Sequence, residues 1–252
     1  MAVIKYRLVI PSRGRADKIA RILALLPTAI VCVDEREHLE YRKAIPVKKL
    51  WLHAPTGTLG EVRQWVLDNS QEEAVVMIDD DFRCVRTLVG RRTRKIVDPG
   101  AILQIIENGI NVAADLGIHL FGWNRCVMLR QFYAYDPLSF GALASGAWGV
   151  VGREHAVDVR LNLAESLDLT LTNLLENRIV LHDRRFYFDC GPTWKGTGGL
   201  QGIRTSTTEG QEKEWMAEKW GQYVSMERKL QSGGTGMSIR VQRRCSLGGA
   251  SA

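Results

Sequence analysis
Three consecutive carboxylates, Asp79, Asp80 and Asp81, follow directly on the apolar run Ala74–Ile78. The run has the length and the valine and isoleucine content of a buried strand. Adjacent negative charges repel, and the end of an apolar strand is a costly place for them. The cost falls if the strand ends at a cleft that holds a positive group. A hard divalent cation carrying a phosphate ester fits, because Mg²⁺ and Mn²⁺ take oxygen ligands and are often held by few carboxylates plus substrate phosphates. The competing reading is an acidic turn that leaves its charges in water.

Two more polar loops stand where an apolar strand stops. Pro11-Ser12-Arg13-Gly14-Arg15 follows Tyr6–Ile10, a strand expected to be stopped by Pro11, and Asp34-Glu35-Arg36 follows Ala29–Val33. Between and after them, Ile19, Ile22, Leu23 and Leu26 have helical spacing, and Glu37–Lys43 reads as a polar helix. Lys49–Leu52 reads as a short strand, and the glycine loop Thr56–Gly60 opens a helix over Glu61–Asn69. This alternation predicts an α/β domain with a mainly parallel sheet flanked by helices. Such sheets bind ligands at the carboxyl ends of their strands. All three loops then share one cleft, with two arginines, one acidic residue suited to a base or ribose, and the aspartates.

The second half is less regular. Pro99 opens a helix through Val112, His119–Gly122 is a strand or bend, and Arg125–Tyr135 is strand-like. Gly141–Val151 is small and glycine-rich, and a helix led by Glu165 and Asp168 carries Leu167, Leu171, Leu174 and Leu175 on its apolar side. Two short strands, Ile179–His182 and Arg185–Phe188, precede a Gly/Ser/Thr-rich stretch over 191–210 with the composition of a mobile loop. A last helix is expected over about Glu212–Leu230, then a flexible tail over 232–252.

The chain has 252 residues, 45% of them hydrophobic, and a formal charge of +6. That suits a single domain over 1–231 in two parts, about 1–98 and about 99–231. No apolar run has the length of a membrane span. Met1–Lys5 lacks the basic-then-apolar order of a secretion signal. Five widely spaced cysteines without a CxxC pair argue for a reducing compartment and against zinc, so a cytoplasmic location is expected. The basic excess is concentrated: Arg83, Arg86, Arg91, Arg92, Arg94 and Lys95 follow the aspartates, and Arg240, Arg243 and Arg244 lie near the end. A solvated surface and an anionic partner both fit such clusters.

In this order, a proline-ended first strand, an acidic residue ending the second, a helix with Arg63 and a strand ending in Asp79-Asp80-Asp81, the sequence resembles the GT-A glycosyltransferases, most closely the inverting, family-2-like branch. The later run Ser145–Arg153 followed by Glu165-Ser166-Leu167-Asp168-Leu169 is similar to that family's acceptor-side pattern. The resemblance covers roughly residues 5–190 and implies a GT-A fold and a nucleotide-diphosphate sugar donor, UDP-linked first, with Mn²⁺ or Mg²⁺. It implies that Asp79 and Asp81 hold ribose and metal, that Pro11, Ser12, Arg13, Arg15, Asp34, Arg63 and Asp80 belong to the donor site, and that His182 or Asp189 completes the metal site. One departure stands out. The family's usual base is the second carboxylate of Glu-Asp, and that position is Ser166, so the base is expected from Glu165 or Asp168, which share a helix face. The competing role for both is to complement the helix dipole.

The small size, the Ser12-Arg13-Gly14-Arg15 loop, the triple aspartate and the basic surface further resemble phage-type DNA glycosyltransferases associated with TET/JBP-like hydroxylases. That resemblance implies double-stranded DNA with hydroxymethylated bases as acceptor. It would make the arginine cluster a set of phosphate contacts and give Trp123, Phe132, Tyr133 or Trp148 a place in bracing a flipped base, with Trp194 and Lys195 closing over the site. The alternatives are a saccharide, lipid or protein acceptor, a nucleotidyltransferase, or a non-catalytic DNA-binding module on a degenerate fold.

Overall fold
A computed structural model describes residues 4–124, 127–129, 132, 136–141, 146–152, 155–191, 199, 205–229, 235–239 and 241. The first half alternates as expected: β1 (Tyr6–Ser12), α1 (Ala16–Leu25), β2 (Ile30–Asp34), α2 (His38–Ala44), β3 (Leu50–His53), α3 (Leu59–Asn69) and β4 (Ala74–Ile78). β1 runs through Pro11 rather than stopping at it; Pro11 still aligns with Cys32 of β2. All five residues of β4 are buried, which is why this strand reads as a continuous apolar run. Ile19 and Ile22 of α1 are buried against that sheet. Thr58 caps α3 in a reciprocal capping box with Glu61.

Next come β5 (Cys84–Val89), β6 (Arg92–Ile96), α4 (Pro99–Asp115), β7 (Leu120–Asn124), β8 (Leu138–Ser139), β9 (Ala147–Val151), α5 (Glu165–Glu176), β10 (Leu181–Asp189), α6 (Ser206–Trp220), β11 (Val224–Lys229) and β12 (Thr235–Ile239). The main sheet runs β3-β2-β1-β4-β9-β7-β10-β5-β6, with β8 on β10. Its first four strands are parallel, whereas β9 is antiparallel to both β4 and β7. The α/β architecture with a central sheet flanked by helices is as expected, and β10 is again parallel to β7.

Several boundaries differ from expectation. The arginine-rich segment after Asp81 is a β-hairpin, whose alternation is masked in sequence by charges on both faces. The two strands foreseen around residues 179–188 are one strand, β10. The last helix ends at Trp220, because Gly221 takes a left-handed φ of 49° and the chain turns into β11. Thr235–Ile239, foreseen in a loose tail, pair with β11, and Ile239 and Val241 pack against core residues. Trp194, Lys195, Tyr133, Ser145, Arg153, Arg240, Arg243 and Arg244 lie outside the described residues. Among the described residues no helix is long and apolar enough to cross a membrane.

Candidate active site
A cleft of about 480 Å³ opens at the carboxyl ends of β1, β2 and β4, a size typical of small-ligand sites. It gathers Pro11 and Ser12 at the end of β1, Arg13 and Arg15 just after it, Asp34 at the end of β2, Arg63 from α3, the three aspartates after β4 and Glu165 at the start of α5. The strand-end pattern placed eight of the ten in one cleft, and the family resemblance implied Arg63 and Glu165.

The three aspartates divide their work. Asp80 is buried and turned into the protein, ion-paired to Arg15 and accepting hydrogen bonds from Ser12 Oγ at 2.9 Å and the Arg13 backbone N–H at 3.2 Å. Burial raises its pKa, and Arg15 opposes that rise. Asp80 therefore clasps the loop after β1. Arg15, expected at a diphosphate, is itself buried in that clasp and stands 3.5 Å from Asp81. Arg13 is the exposed arginine of the loop.

Asp79 and Asp81 face the cleft beside an unforeseen residue. One ligand atom from each of Asp79, Asp81 and Cys190 lies within 4.8 Å of the other two. Asp81 Oδ1 is buried without a hydrogen-bond partner among the described residues. Its pKa is pushed up to about 7, by burial first and then by the charge of Asp79. Gly146 closes the group from below: a Cβ there would sit 2.7 Å from Asp79 Oδ2 and 3.3 Å from Cys190 Sγ. An orphaned carboxylate oxygen and a floor that admits no side chain are what a bound cation needs.

Neither residue expected as the third ligand is there. His182 is buried early on β10, aligned with Gly122 and Ser139. Asp189 faces away and accepts from Arg86 Nε at 2.7 Å. Successive residues of an extended segment point to opposite sides, so it is Cys190 that reaches the aspartates. A cysteine just past a strand carries no sequence signal for this role.

Arg63 ties the two halves of the cleft together. Only 3% exposed, it pairs through Nη1 with Glu165 and through Nη2 with Asp79 at 2.8 Å, and its guanidinium lies 5.4 Å from the ring centre of Trp148. It lines the cleft as an internal bridge. Burial raises the Glu165 pKa against the opposing pull of Arg63. Glu165 Oε2 has no hydrogen-bond partner from another described residue.

Asp168 is elsewhere. It is 1% exposed and outside the cleft lining, bound to Trp220 Nε1 at 2.7 Å and Lys219 Nζ at 2.8 Å. Glu212 of the same helix accepts backbone N–H groups from Asn162, Leu163 and Ala164 at 2.8–3.1 Å. α6 thus holds the start of α5, which sets Glu165 against Arg63. One helical turn separates Glu165 from Asp168, yet their side chains meet different partners.

Asp34 lines the cleft, with its pKa lowered to about 2, mainly by hydrogen bonding to Arg36. His53, Thr56, Thr58, Asn162, Tyr187 and Gly191 also line it. Thr58 was legible in sequence, since Thr followed three residues later by Glu marks a helix start; the others were not singled out.

Of the aromatic residues expected beside a flipped base, the three among the described residues are internal. Trp148 is fully buried, Trp123 stacks at 4.3 Å on Phe188, and Phe132 is buried. The basic cluster is divided by the hairpin. Arg86 and Lys95 are cross-strand neighbours, Arg92 and Arg94 point to the opposite face, Arg91 sits at the exposed turn, and Arg83 is exposed before β5.

Residues 6–127, nearly half of the chain, match the family model described as TET-Associated Glycosyltransferase. The glycosyltransferase resemblance is borne out. The GT-A fold is shared with the crystal structure of S. aureus TarS 1–349 in complex with UDP-GlcNAc, at a TM-score of 0.51 and 12% identity over 86% of this chain and 67% of that one. Glucosyl-3-phosphoglycerate synthase from Mycobacterium tuberculosis, in complex with Mg²⁺ and uridine-diphosphate, is similar at a TM-score of 0.49 and 12% identity over 94% and 87% of the two chains. The chain spans 65% of the length of a mycobacterial protein of similar structure and 58% of another TarS 1–349 structure. No curated protein matches it in sequence.

Proposed function
We propose that the protein transfers a sugar from a nucleoside-diphosphate donor to the hydroxyl of a hydroxymethylated pyrimidine in double-stranded DNA, inverting the anomeric carbon. The observation that carries the reading is the Arg63 bridge. One buried guanidinium holds both Asp79, on the cation side of the cleft, and Glu165, a carboxylate with an unpartnered oxygen.

Glu165 takes the proton of the acceptor hydroxyl through Oε2 as the hydroxyl oxygen bonds to the anomeric carbon and the bond to the diphosphate breaks. Burial raises its pKa and so strengthens it as a base. Arg63 fixes the carboxylate and limits the rise. Asp79 and Asp81 would hold Mg²⁺ or Mn²⁺ through their oxygens, and Cys190, kept a neutral thiol by burial, borders the group without ligating a hard cation. When bound, the cation neutralises the charge that develops on the departing diphosphate. The exposed Arg13 adds positive charge at the phosphates, and the ionised Asp34 is placed to accept from ribose or base at the cleft's other end. The UDP-GlcNAc in the TarS structure makes a uridine-linked sugar the first donor to test.

The DNA acceptor is supported by the family description for residues 6–127 and by the Arg86–Lys95 face of the hairpin that follows Asp81 directly. The test is incubation with UDP-glucose and UDP-GlcNAc, Mn²⁺, and duplexes carrying 5-hydroxymethylcytosine or 5-hydroxymethyluracil, followed by digestion and nucleoside mass analysis. A hexose-shifted hydroxymethyl nucleoside is expected. Donor turnover with a saccharide acceptor and none with either duplex would overturn the DNA acceptor and leave the transferase chemistry standing.

A further inference from the structure
A second, smaller pocket of about 250 Å³ lies beside the cleft, lined by Arg21 of α1, Arg83, Arg86 of β5 and Lys95 of β6, with Asp189 its only carboxylate among the described residues. Four cations face one anion. Arg86 and Lys95 are directly opposite across the hairpin, an arrangement of like charges that destabilises a strand pair unless an anion intervenes. Asp189 compensates Arg86 through Nε at 2.7 Å. Arg21, Arg83 and Lys95 form no ion pair among the described residues, and all three are exposed. The pocket adjoins the reaction centre through the end of β10. Asp189 lines the pocket while Cys190 lines the cleft, and a Cβ on Gly191, another cleft residue, would lie 3.0 Å from the Arg83 guanidinium.

We propose that this pocket seats a backbone phosphate of the acceptor DNA, gripped by Arg21, Arg83 and Lys95, next to the nucleotide that receives the sugar. The inference rests on the DNA-acceptor reading. It adds Arg21, which is far from the arginine cluster in sequence and reaches it through the packing of α1. A phosphate contact of this kind positions the duplex without reading its sequence. The opposite hairpin face, with Arg92 and Arg94, lies outside the seat.

The experiment measures binding of a hydroxymethylated duplex across a salt series for the full chain, Arg21→Gln, Lys95→Gln and the Arg92→Gln/Arg94→Gln pair, with circular dichroism checking that each folds. Arg21, Lys95, Arg92 and Arg94 are all exposed, so the substitutions spare the core. Each seat variant is expected to lose about one unit of the slope of log affinity against log salt, equally for two unrelated sequences. The opposite-face pair is expected to keep the parent slope. Steep parent binding with unchanged slopes in both seat variants would overturn the seat and leave the acceptor reading intact. No salt-dependent binding by the parent would overturn both. A parallel titration with inorganic phosphate separates the sources of the anion. Phosphate stabilisation that Lys95→Gln abolishes, with an unchanged DNA slope, would assign the pocket to a small phosphate and overturn the proposal.

Discussion

Trp220 donates its indole N–H to Asp168 Oδ1 across 2.7 Å, and Lys219 Nζ meets the same oxygen at 2.8 Å. The second carboxylate of the acidic helix start is therefore a structural anchor for α6. Asp168→Asn is expected to lower the melting temperature while leaving kcat within about threefold, because the amide oxygen still accepts from Trp220 but no longer pairs with Lys219. Trp220→Phe is expected to cost about 1.5–3 kcal/mol, the range for a hydrogen bond to a charged group. A kcat loss of 100-fold or more in a well-folded Asp168→Asn, about the least a lost general base costs, would return the base role to Asp168.

Glu165→Gln should separate chemistry from folding. The amide cannot accept the proton, so kcat is expected to fall by about 10²–10⁴-fold. The carboxyl is held above its ordinary range by burial, against the pull of Arg63. Activity of the parent should then rise with pH as this group ionises, and the variant should lose that limb. A variant whose pH–rate profile overlays the parent's would remove Glu165 from the mechanism.

The Asp80–Arg15 clasp predicts a stability effect at a site that looks like a ligand contact. Asp80→Ala leaves the buried Arg15 guanidinium with its longer 3.5 Å pair to Asp81 and is expected to cost about 3 kcal/mol, the low end for breaking a buried pair. The double variant Asp80→Ala/Arg15→Leu removes the poorly compensated charge and should recover part of that loss in urea unfolding. A double variant no more stable than the single one would show that the clasp holds the loop by something other than charge pairing.

How much of this could be read from sequence follows from what each signal depends on. Strand ends and the acidic run are local patterns, so the parallel half and its loops were foreseen nearly to the residue. Pairing partners are not local. Nothing near Asp168 announces that Lys219 and Trp220 will reach it, and nothing near Asp80 announces Arg15. Periodicity also fails where both faces of a strand are charged, which hid the hairpin over Cys84–Ile96. The third member of the metal-like group depends on which way the chain turns after β10, and only the fold decides between Asp189 and Cys190.

Gly146 is the floor of the Asp79–Asp81–Cys190 group. A Cβ there would stand 2.7 Å from Asp79 Oδ2, closer than such contacts occur, so Gly146→Ala is expected to push the carboxylate aside. Mn²⁺ affinity, read by electron paramagnetic resonance of the free ion, should drop by about tenfold or more, about 1.4 kcal/mol, with little change in the far-ultraviolet circular dichroism. Parent-like Mn²⁺ binding by Gly146→Ala would place the cation elsewhere.

Asp81 gives the site a pH dependence whose sign is fixed by its environment. Its carboxyl is pushed up to about 7, by burial first and then by Asp79, whereas in an unfolded chain it ionises near pH 4. A raised folded value means that the metal-free protein gains stability from the bound proton, fully below about pH 4 and progressively less as the pH rises to about 7. A cation binds only the ionised carboxylate and competes with that proton. Melting curves from about pH 5 to about pH 8 should therefore show the metal-free transition falling with pH while the increment from Mn²⁺ grows. In Asp81→Asn the first trend should flatten and the second disappear. A parent increment that shrinks as the pH rises would mean that the cation does not compete for Asp81.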